Sequence, residues 1–311
     1  MPKKVTLKDI AAKAGLSPAS VSMILNRRSI DRFNAETVEQ VYAIAAELGY
    51  KSSKEKAYAL VRPSDTLIII ICPSLFNPFY TTIIQGIEIV ARKQGFVTSV
   101  RTTYWDTDTE KFIMEQARKF NVAGVIFAMI PQQPQLAYNL SKYLPVVAIG
   151  DRRSDLELAT VDMNNFTAGQ LIGKHLMDLG HKQVAYLSTT LNDQHTSRVR
   201  RCQGLEAACQ EAGAKLALFT KEITPDYELS HVDVEYSTGY ELANRCLDTA
   251  PETTAMVAIN DMVAYGAYNA IIDRGLRIPE DISLCGFDNI FPSHLRGVSL
   301  TTIDNSLTEC G

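Results

Sequence analysis

The chain has 311 residues, of which 46% are hydrophobic and 21% charged, a balance that excludes a disordered or fibrous protein. Its apolar run Leu67–Cys72 is far shorter than the ~20 residues that a bilayer span needs, and no apolar core follows Lys3 and Lys4 as in a signal peptide. Six scattered Cys without a CxxC spacing indicate reduced thiols, so we expect a cytoplasmic protein with no membrane partner.

The net charge of −4 is unevenly distributed along the chain. Residues 1–62 carry eleven Lys and Arg against six Asp and Glu, whereas the remainder carries 20 against 29. A basic head on an acidic body predicts a polyanion-binding module joined to a part that does not bind polyanions.

The basic head has the pattern of three short helices. Thr6 is a good N-cap for the first helix, and Gly15 stands where a C-cap residue adopts a positive φ. Ser17 caps a second helix that begins at Pro18, and a third runs from 34 to 48 with apolar residues three or four apart. Two capped helices joined by a tight turn, closed by a third, predict a helix-turn-helix.

Two segments of the head are similar to a known family. TLKDIAAKAGLSPASVSMILN (6–26) resembles the DNA-binding head of the lactose-repressor (LacI/GalR-type) family of bacterial transcription regulators, and ETVEQVYAIAAELGY (36–50) resembles its third helix. The resemblance implies a homodimer, or a tetramer, that binds a double-stranded, pseudo-palindromic operator with its second helices in the major groove.

The resemblance places Pro18, Ala19 and Met23 against base edges. Met23 cannot grip guanine as Arg does, although it can contact a thymine methyl; the alternative is that it packs in the core of the head. Arg27 lies in a loop where it either reaches the DNA or is solvated. The polar candidates for phosphate and base contacts are Thr6, Ser17, Ser20, Ser22, Asn26 and Arg27.

Residues 51–65 form the predicted linker. The family has a short hinge helix here, in which a Leu wedges into the minor groove. Leu60 is the candidate wedge, and the alternative is that it packs against the body or a second copy. The proline at 63 ends any such helix.

From residue 66 onwards apolar strands alternate with amphipathic helices, which is the βαβ pattern of parallel sheets. The strands are too numerous for one compact sheet, so we expect two α/β lobes around a cleft, with the chain crossing between them at 151–164. The predicted strands are 66–73, 96–100, 122–128, 146–150, 184–188, 215–219, 255–259 and 282–287.

The body also resembles the family, in five motifs: FNPFY (76–80), LPVVAIGDR (144–152), LGHKQVAYL (179–187), AINDMVAYGA (258–267) and RGLRIPEDISLCGFDN (274–289). The resemblance implies an N-terminal all-α helix-turn-helix head plus an α/β two-lobed periplasmic-binding-protein-like (type I) sensor core with parallel sheets. The expected domains are a head (1–50), a linker (51–65), a first lobe (66–160 and 301–311) and a second lobe (161–300). Family members continue beyond LTTIDNSLTECG, so we expect the first lobe to be incomplete.

Six residues are candidates for binding the effector: Phe79, Tyr80, Asp151, Arg198, Asp261 and Asp288. Aromatic faces stack on sugar rings or bases, and carboxylates accept hydroxyl hydrogen bonds. Arg198 aligns with the effector-binding arginine of the family. The alternatives are that Phe79 belongs to the core, Asp261 caps a helix, Arg198 pairs with a surface carboxylate and Asp288 is a turn residue.

The sequence has no catalytic or metal-ligand motif, so we predict a non-enzyme with no cofactor and no metal. The predicted function is effector-controlled DNA binding, with repression favoured by the resemblance. The expected effector is a sugar or sugar phosphate, with purines next. The alternatives are a cytosolic small-molecule binding protein without regulatory activity and a truncated regulator without function.

Overall fold

The computed structural model describes residues 6–25, 33–48, 66–120, 122–152, 157–192 and 194–311. The chain divides into two compact units, residues 1–63 and residues 64–311, which we call the head and the body. Within the described ranges, no helix combines the length and the apolar composition needed to cross a membrane.

The head contains three helices: α1 (Leu7–Ala14), α2 (Pro18–Leu25) and α3 (Ala35–Glu47). Between α1 and α2 the chain turns at Gly15, whose φ of 67° favours glycine. Ile10, Val21, Ile24 and Val41 are fully buried and form the centre of the small core. The predicted three-helix arrangement is confirmed.

The body contains two parallel sheets, as predicted, and each sheet has five strands. The first has the strand order β2-β1-β3-β4-β5 and the second β10-β9-β8-β6-β7. The strands of the first sheet are β1 (Leu67–Cys72), β2 (Val97–Thr102), β3 (Gly124–Phe127), β4 (Val146–Gly150) and β5 (Ala159–Asp162). Those of the second are β6 (Gln183–Ser188), β7 (Lys215–Thr220), β8 (Ala255–Ala258), β9 (Ser283–Phe287) and β10 (Thr301–Ile303).

Helices cover the faces of both sheets and bury the apolar strands between them. The first lobe carries α4 (Pro78–Lys93), α5 (Thr107–Phe120), α6 (Pro134–Ser141) and, after the second lobe, α12 (Leu307–Cys310). The second lobe carries α7 (Asn165–Asp178), α8 (Thr196–Glu211), α9 (Pro225–Ser230), α10 (Val234–Thr249) and α11 (Asp261–Asp273).

The two lobe boundaries differ from the sequence prediction. The predicted crossing at 151–164 contains β5, which pairs with β4, so the chain crosses only after Asp162. The segment 301–311 does not belong wholly to the first lobe, because β10 pairs with β9 and only α12 packs against α4. Both strands are short and partly exposed, and therefore lack the apolar run that marks a buried strand.

Helices α7 and α8 cross in close contact because each has a glycine at the crossing. A Cβ on Gly169 would overlap the carbonyl of Arg201, and a Cβ on Gly204 would overlap the carbonyl of Phe166. The backbones therefore approach more closely than other residue types permit, and this fixes the first turns of α7 against the middle of α8.

Candidate functional site: the cleft between the lobes

A cleft of about 70 Å³ lies between the two lobes of the body. Its walls are formed at the carboxyl ends of the strands of both sheets, by loops and by the helices that follow the strands. Ligands of parallel α/β sheets bind at such strand ends. We call this space the inner cleft. Its polar and aromatic side chains are Asn77, Phe79, Tyr80, Trp105, Asn165, Gln194, His195, Thr196, Ser197, Arg198, Arg201, Glu235, Asn260 and Asp288.

Arg201 is the centre of a buried polar cluster on the wall of the second lobe. It is 6% exposed, and its Nη2 donates to Oδ1 of Asp288 over 2.9 Å. Its Nε donates to Oδ1 of Asn165 over 2.7 Å, and its Nη1 donates to the carbonyl of Ile259. Burial raises the pKa of Asp288, while the guanidinium of Arg201 opposes this. The cluster thus holds the charged guanidinium group of Arg201 in a fixed orientation at the cleft.

Trp105 connects the first lobe to the second. Tyr104 and Trp105 both adopt left-handed backbone conformations (φ 50° and 58°), which project the indole across the cleft. The indole ring lies 4.6 Å from the imidazole ring of His195 and 5.2 Å from the guanidinium of Arg198. Burial, followed by the charge of Arg198, lowers the pKa of His195 to about 3, so its imidazole is neutral.

Glu235 makes a second connection between the lobes. Its Oε2 accepts a 2.7 Å hydrogen bond from Nδ2 of Asn77 in the first lobe, and its Oε1 accepts a 2.8 Å bond from Nδ2 of Asn260 in the second. The two asparagines also cap α4 and α11, since their Oδ1 atoms accept from the backbone N–H groups of Phe79 and Val263. One carboxylate therefore links two helix starts across the cleft.

Four of the six candidate effector residues line the inner cleft. Phe79 and Tyr80 meet edge to face, with ring centroids 5.0 Å apart, and Phe79 also packs against the core of the first lobe. Arg198 donates to the carbonyl of Thr190 over 3.1 Å and faces Trp105. Asp288 pairs with Arg201 rather than serving only as a turn residue.

Asp261 and Asp151 do not line the cleft, contrary to the sequence prediction. Asp261 is fully buried and accepts hydrogen bonds from Oγ1 of Thr302, Oγ of Ser293 and the backbone N–H of Ile290. Asp151 accepts from the backbone N–H and Nδ2 of Asn165. Both carboxylates accept hydrogen bonds from donors inside the fold. Asp261 holds the segment after β9 in place, and Asp151 orients Asn165, which accepts a hydrogen bond from Arg201.

The sequence prediction also omitted several residues of the site: Asn77, Trp105, Asn165, His195, Arg201, Glu235 and Asn260. Asn77 and Asn260 stood inside quoted motifs, directly before helix starts. Arg201 follows Arg198 by three residues and thus lies one helical turn further along the same side of α8. The contact of Trp105 with the second lobe had no local signal, because it joins residues far apart in the sequence.

In the head, the predicted DNA contacts lie on the described surface of α1 and α2. Thr6, Ser17, Pro18 and Ala19 are exposed, and the backbone N–H of Ser20 donates to Oγ of Ser17. Ser20, Ser22 and Met23 are partly exposed, and Met23 is not among the buried residues of the core. Asn26, Arg27 and Leu60 lie outside the described residues.

Family models match both units of the chain. Residues 6–53 match the model of bacterial regulatory proteins of the lacI family. Residues 65–311 match the model of periplasmic binding proteins and the sugar binding domain of the LacI family.

Individual proteins match over almost the whole chain. A transcriptional repressor named PurR from Mannheimia succiniciproducens is 31% identical over 98% of this chain and 88% of its own length, and the PurR of Pasteurella multocida is similar to the same extent.

Solved structures have the same fold. The lac repressor dimer bound to operator and the anti-inducer ONPF is 25% identical, with a TM-score of 0.65 over 99% of this chain and 90% of its own. A LacI-family regulator from Silicibacter pomeroyi, 22% identical, has a TM-score of 0.70 over 98% of this chain and 89% of its own. The chain therefore belongs to the LacI family of bacterial regulatory proteins and is a DNA-binding transcriptional regulator, not an enzyme.

Proposed function

We propose that this protein is a cytoplasmic, dimeric repressor whose operator affinity is set by a carbohydrate bound in the inner cleft. The observation that carries the proposal is the buried Arg201–Asp288 pair at the cleft wall, whose side chains are 8% and 4% exposed. A buried charged pair contributes little to stability by itself, and its position among cleft-lining amides suits the recognition of hydroxyl groups.

Control by the effector follows from the contacts between the lobes. Trp105 with His195, and Asn77 with Glu235, join the lobes at the same cleft in which a ligand binds. A ligand that contacts both lobes stabilises their closed arrangement and shifts the population toward it. In a dimer, such a shift alters the spacing of the two heads and hence the affinity for a pseudo-palindromic operator.

The chemistry of the inner cleft favours a sugar. Amide and guanidinium N–H groups donate hydrogen bonds to hydroxyls, and carboxylate and amide oxygens accept them from hydroxyls. The rings of Phe79, Tyr80 and Trp105 offer faces on which a sugar ring can stack. A purine is the second candidate, because the same aromatic rings can stack on a base.

The DNA-contacting residues of the head remain part of this proposal. Pro18, Ala19 and Met23 would face base edges. Thr6, Ser17, Ser20 and Ser22, together with Asn26 and Arg27, would contact phosphates and bases. Helix α2 contains no charged residue. We therefore expect its apolar side chains to contact thymine methyls and its serine hydroxyls to hydrogen-bond to the DNA, with no bidentate contact from α2 to guanine.

The test begins with selection of binding sites from random duplex DNA by the full chain. Enrichment of a two-fold repeat, with an affinity that falls steeply as salt is raised, supports the proposal. Fluorescence anisotropy on that duplex then measures the response to sugars, sugar phosphates and purines. A chain that binds one of these compounds but no duplex would instead be a binding protein without regulatory activity.

A further inference from the structure

Positive charge is concentrated on the first lobe at the edge where the strands of its sheet begin. The registers place the starts of β2, β1, β3 and β4 side by side. Five exposed cations lie within the six residues before one of these starts: Arg92, Lys93, Arg118, Lys119 and Lys142. We call these five residues the basic edge. Among the described residues in the same positions of this sheet, Glu157 before β5 is the one carboxylate.

The corresponding edge of the second sheet has the opposite charge. The six residues before each of its strands, all of them described, contain three cations and five carboxylates: Lys182, Arg277 and Arg296 against Asp178, Glu211, Glu252, Glu280 and Asp281. The last turns of α4 and α5 each carry two Lys or Arg, whereas those of α7, α8, α10 and α11 carry no Lys or Arg. Attraction of cations to helix C-termini acts on the helices of both lobes, so it does not explain the difference.

Two cations of the basic edge are held over aromatic rings. The guanidinium of Arg118 lies 4.0 Å from the ring centroid of Tyr143, and Nζ of Lys142 lies 4.6 Å from that of Tyr138. Within the described part of the chain, no residue of the basic edge pairs with a carboxylate. Their charge is therefore open to an external anion, and the cations held on rings lose less side-chain entropy when they bind one.

The position of the basic edge favours duplex DNA as that anion. β1 begins at this edge, directly after the residues that join the head to the body. Because the head binds DNA, the duplex is the polyanion with the highest effective concentration near the start of β1. From β2 to β4 the edge spans three strand spacings, about 14 Å, which is enough to follow several phosphates of one DNA strand.

We propose that the basic edge is a second DNA-contacting surface, which binds phosphates of the duplex that the head recognises. This contact differs from the expectation that the acidic body does not bind polyanions, because it concerns one edge whose local charge is opposite to that of the body. Phosphates are the same at every base pair, so the contact adds affinity and salt dependence without adding sequence preference.

The experiment measures binding of the full chain to a mixed-sequence duplex of about 40 base pairs by fluorescence anisotropy over a range of salt concentrations. The variant carries Arg118→Gln, Lys119→Gln and Lys142→Gln together. We expect it to bind about tenfold or more weakly at about 0.1 M salt. The slope of log affinity against log salt concentration should also be less steep by up to about three, because each lost phosphate contact lowers the slope by about 0.9.

The matched control carries Lys174→Gln, Lys182→Gln and Lys215→Gln, three exposed cations of the second lobe. It removes the same charge from the same body, and its affinity and slope should equal those of the unmodified chain. Equal losses in the two variants would show that net charge alone acts, and this overturns the proposal. Unchanged affinity and slope in the basic-edge variant overturn it as well.

A third variant separates loss of charge from a change in the fold. It carries Arg118→Lys, Lys119→Arg and Lys142→Arg, which keep all three charges on the basic edge. We expect its affinity and salt slope to match those of the unmodified chain. A loss in this variant as large as in the glutamine variant would assign the effect to the fold of the first lobe and would reject the phosphate contact.

Discussion

The side-chain amide of Asn77 donates a 2.7 Å hydrogen bond to the carboxylate of Glu235, and this bond spans the two lobes. Glu235 accepts a second bond from Asn260, the residue before α11. Each lobe therefore presents the capped start of a helix to the same acceptor. The arrangement ties the geometry of both helices to the closure of the cleft.

Glu235→Gln should weaken this closure, because a glutamine offers one acceptor oxygen where the carboxylate offers two. The chain has one tryptophan, Trp105, and it lies at the contact between the lobes. We therefore expect the tryptophan emission of E235Q to shift to longer wavelength as the indole becomes exposed to water.

Glu241→Gln is the control for this variant, since Glu241 lies on the same helix but pairs with Lys221 within the second lobe. Its emission should match that of the unmodified protein. Equal spectra for E235Q and the unmodified chain would show that the Asn77–Glu235 bond does not hold the lobes together.

Arg201→Ala should be strongly destabilising. It leaves Asp288 buried without its guanidinium partner, and removal of one member of a buried pair costs about 3–5 kcal/mol. The free energy of unfolding in urea measures the loss. Asp288→Asn in the same chain should restore a substantial part of it, because the unpaired charge is then removed.

The exposed pair of Arg274 with Asp248 provides the comparison, and Arg274→Ala should leave the unfolding midpoint nearly unchanged. A similar loss in R201A and R274A would mean that the burial of the Arg201–Asp288 pair has no energetic consequence.

Sequence reasoning predicted the two α/β lobes and four of the six candidate effector residues at the cleft, because apolar runs and family motifs are local. It did not predict β5 and β10, whose few partly exposed residues give no apolar run. It also placed Asp261 in the cleft. A carboxylate that follows a strand can accept hydrogen bonds either from a ligand or from donors within the protein, and the local sequence is the same in both cases. Only the positions of Ser293 and Thr302, over thirty residues away, distinguish the two roles.

Gly169→Ala should move α8 away from α7. The added Cβ overlaps the carbonyl of Arg201, and backbone, unlike a flexible side chain, cannot yield locally. We expect a loss of about 1–3 kcal/mol in the free energy of unfolding, with a fall in effector affinity because Arg201 moves. Gly297→Ala is the control, since no atom lies within 4 Å of its added Cβ. Unchanged stability in G169A would contradict the close helix crossing.

The stability of the body should depend on pH through several buried groups, and among them Glu228 and His195 act in opposite directions. Burial, with the nearby charge of Glu235, raises the pKa of Glu228 to about 7, so the folded chain retains a proton that the unfolded chain loses above about pH 4.3. Stability from Glu228 therefore falls as pH rises from about 4.3 to 7. His195 remains neutral when folded but takes up a proton below about pH 6.5 when unfolded, so its contribution falls as pH decreases.

Between about pH 4.5 and 6.5 these two contributions oppose each other, and single variants separate them. Glu228→Gln removes the first, so the free energy of unfolding should rise more steeply with pH than in the unmodified chain, by up to one bound proton. His195→Asn removes the second and should change the slope in the opposite direction. Urea denaturation at closely spaced pH values measures both slopes. Parallel curves for E228Q and the unmodified chain would show that Glu228 is ionised in the folded protein throughout this range.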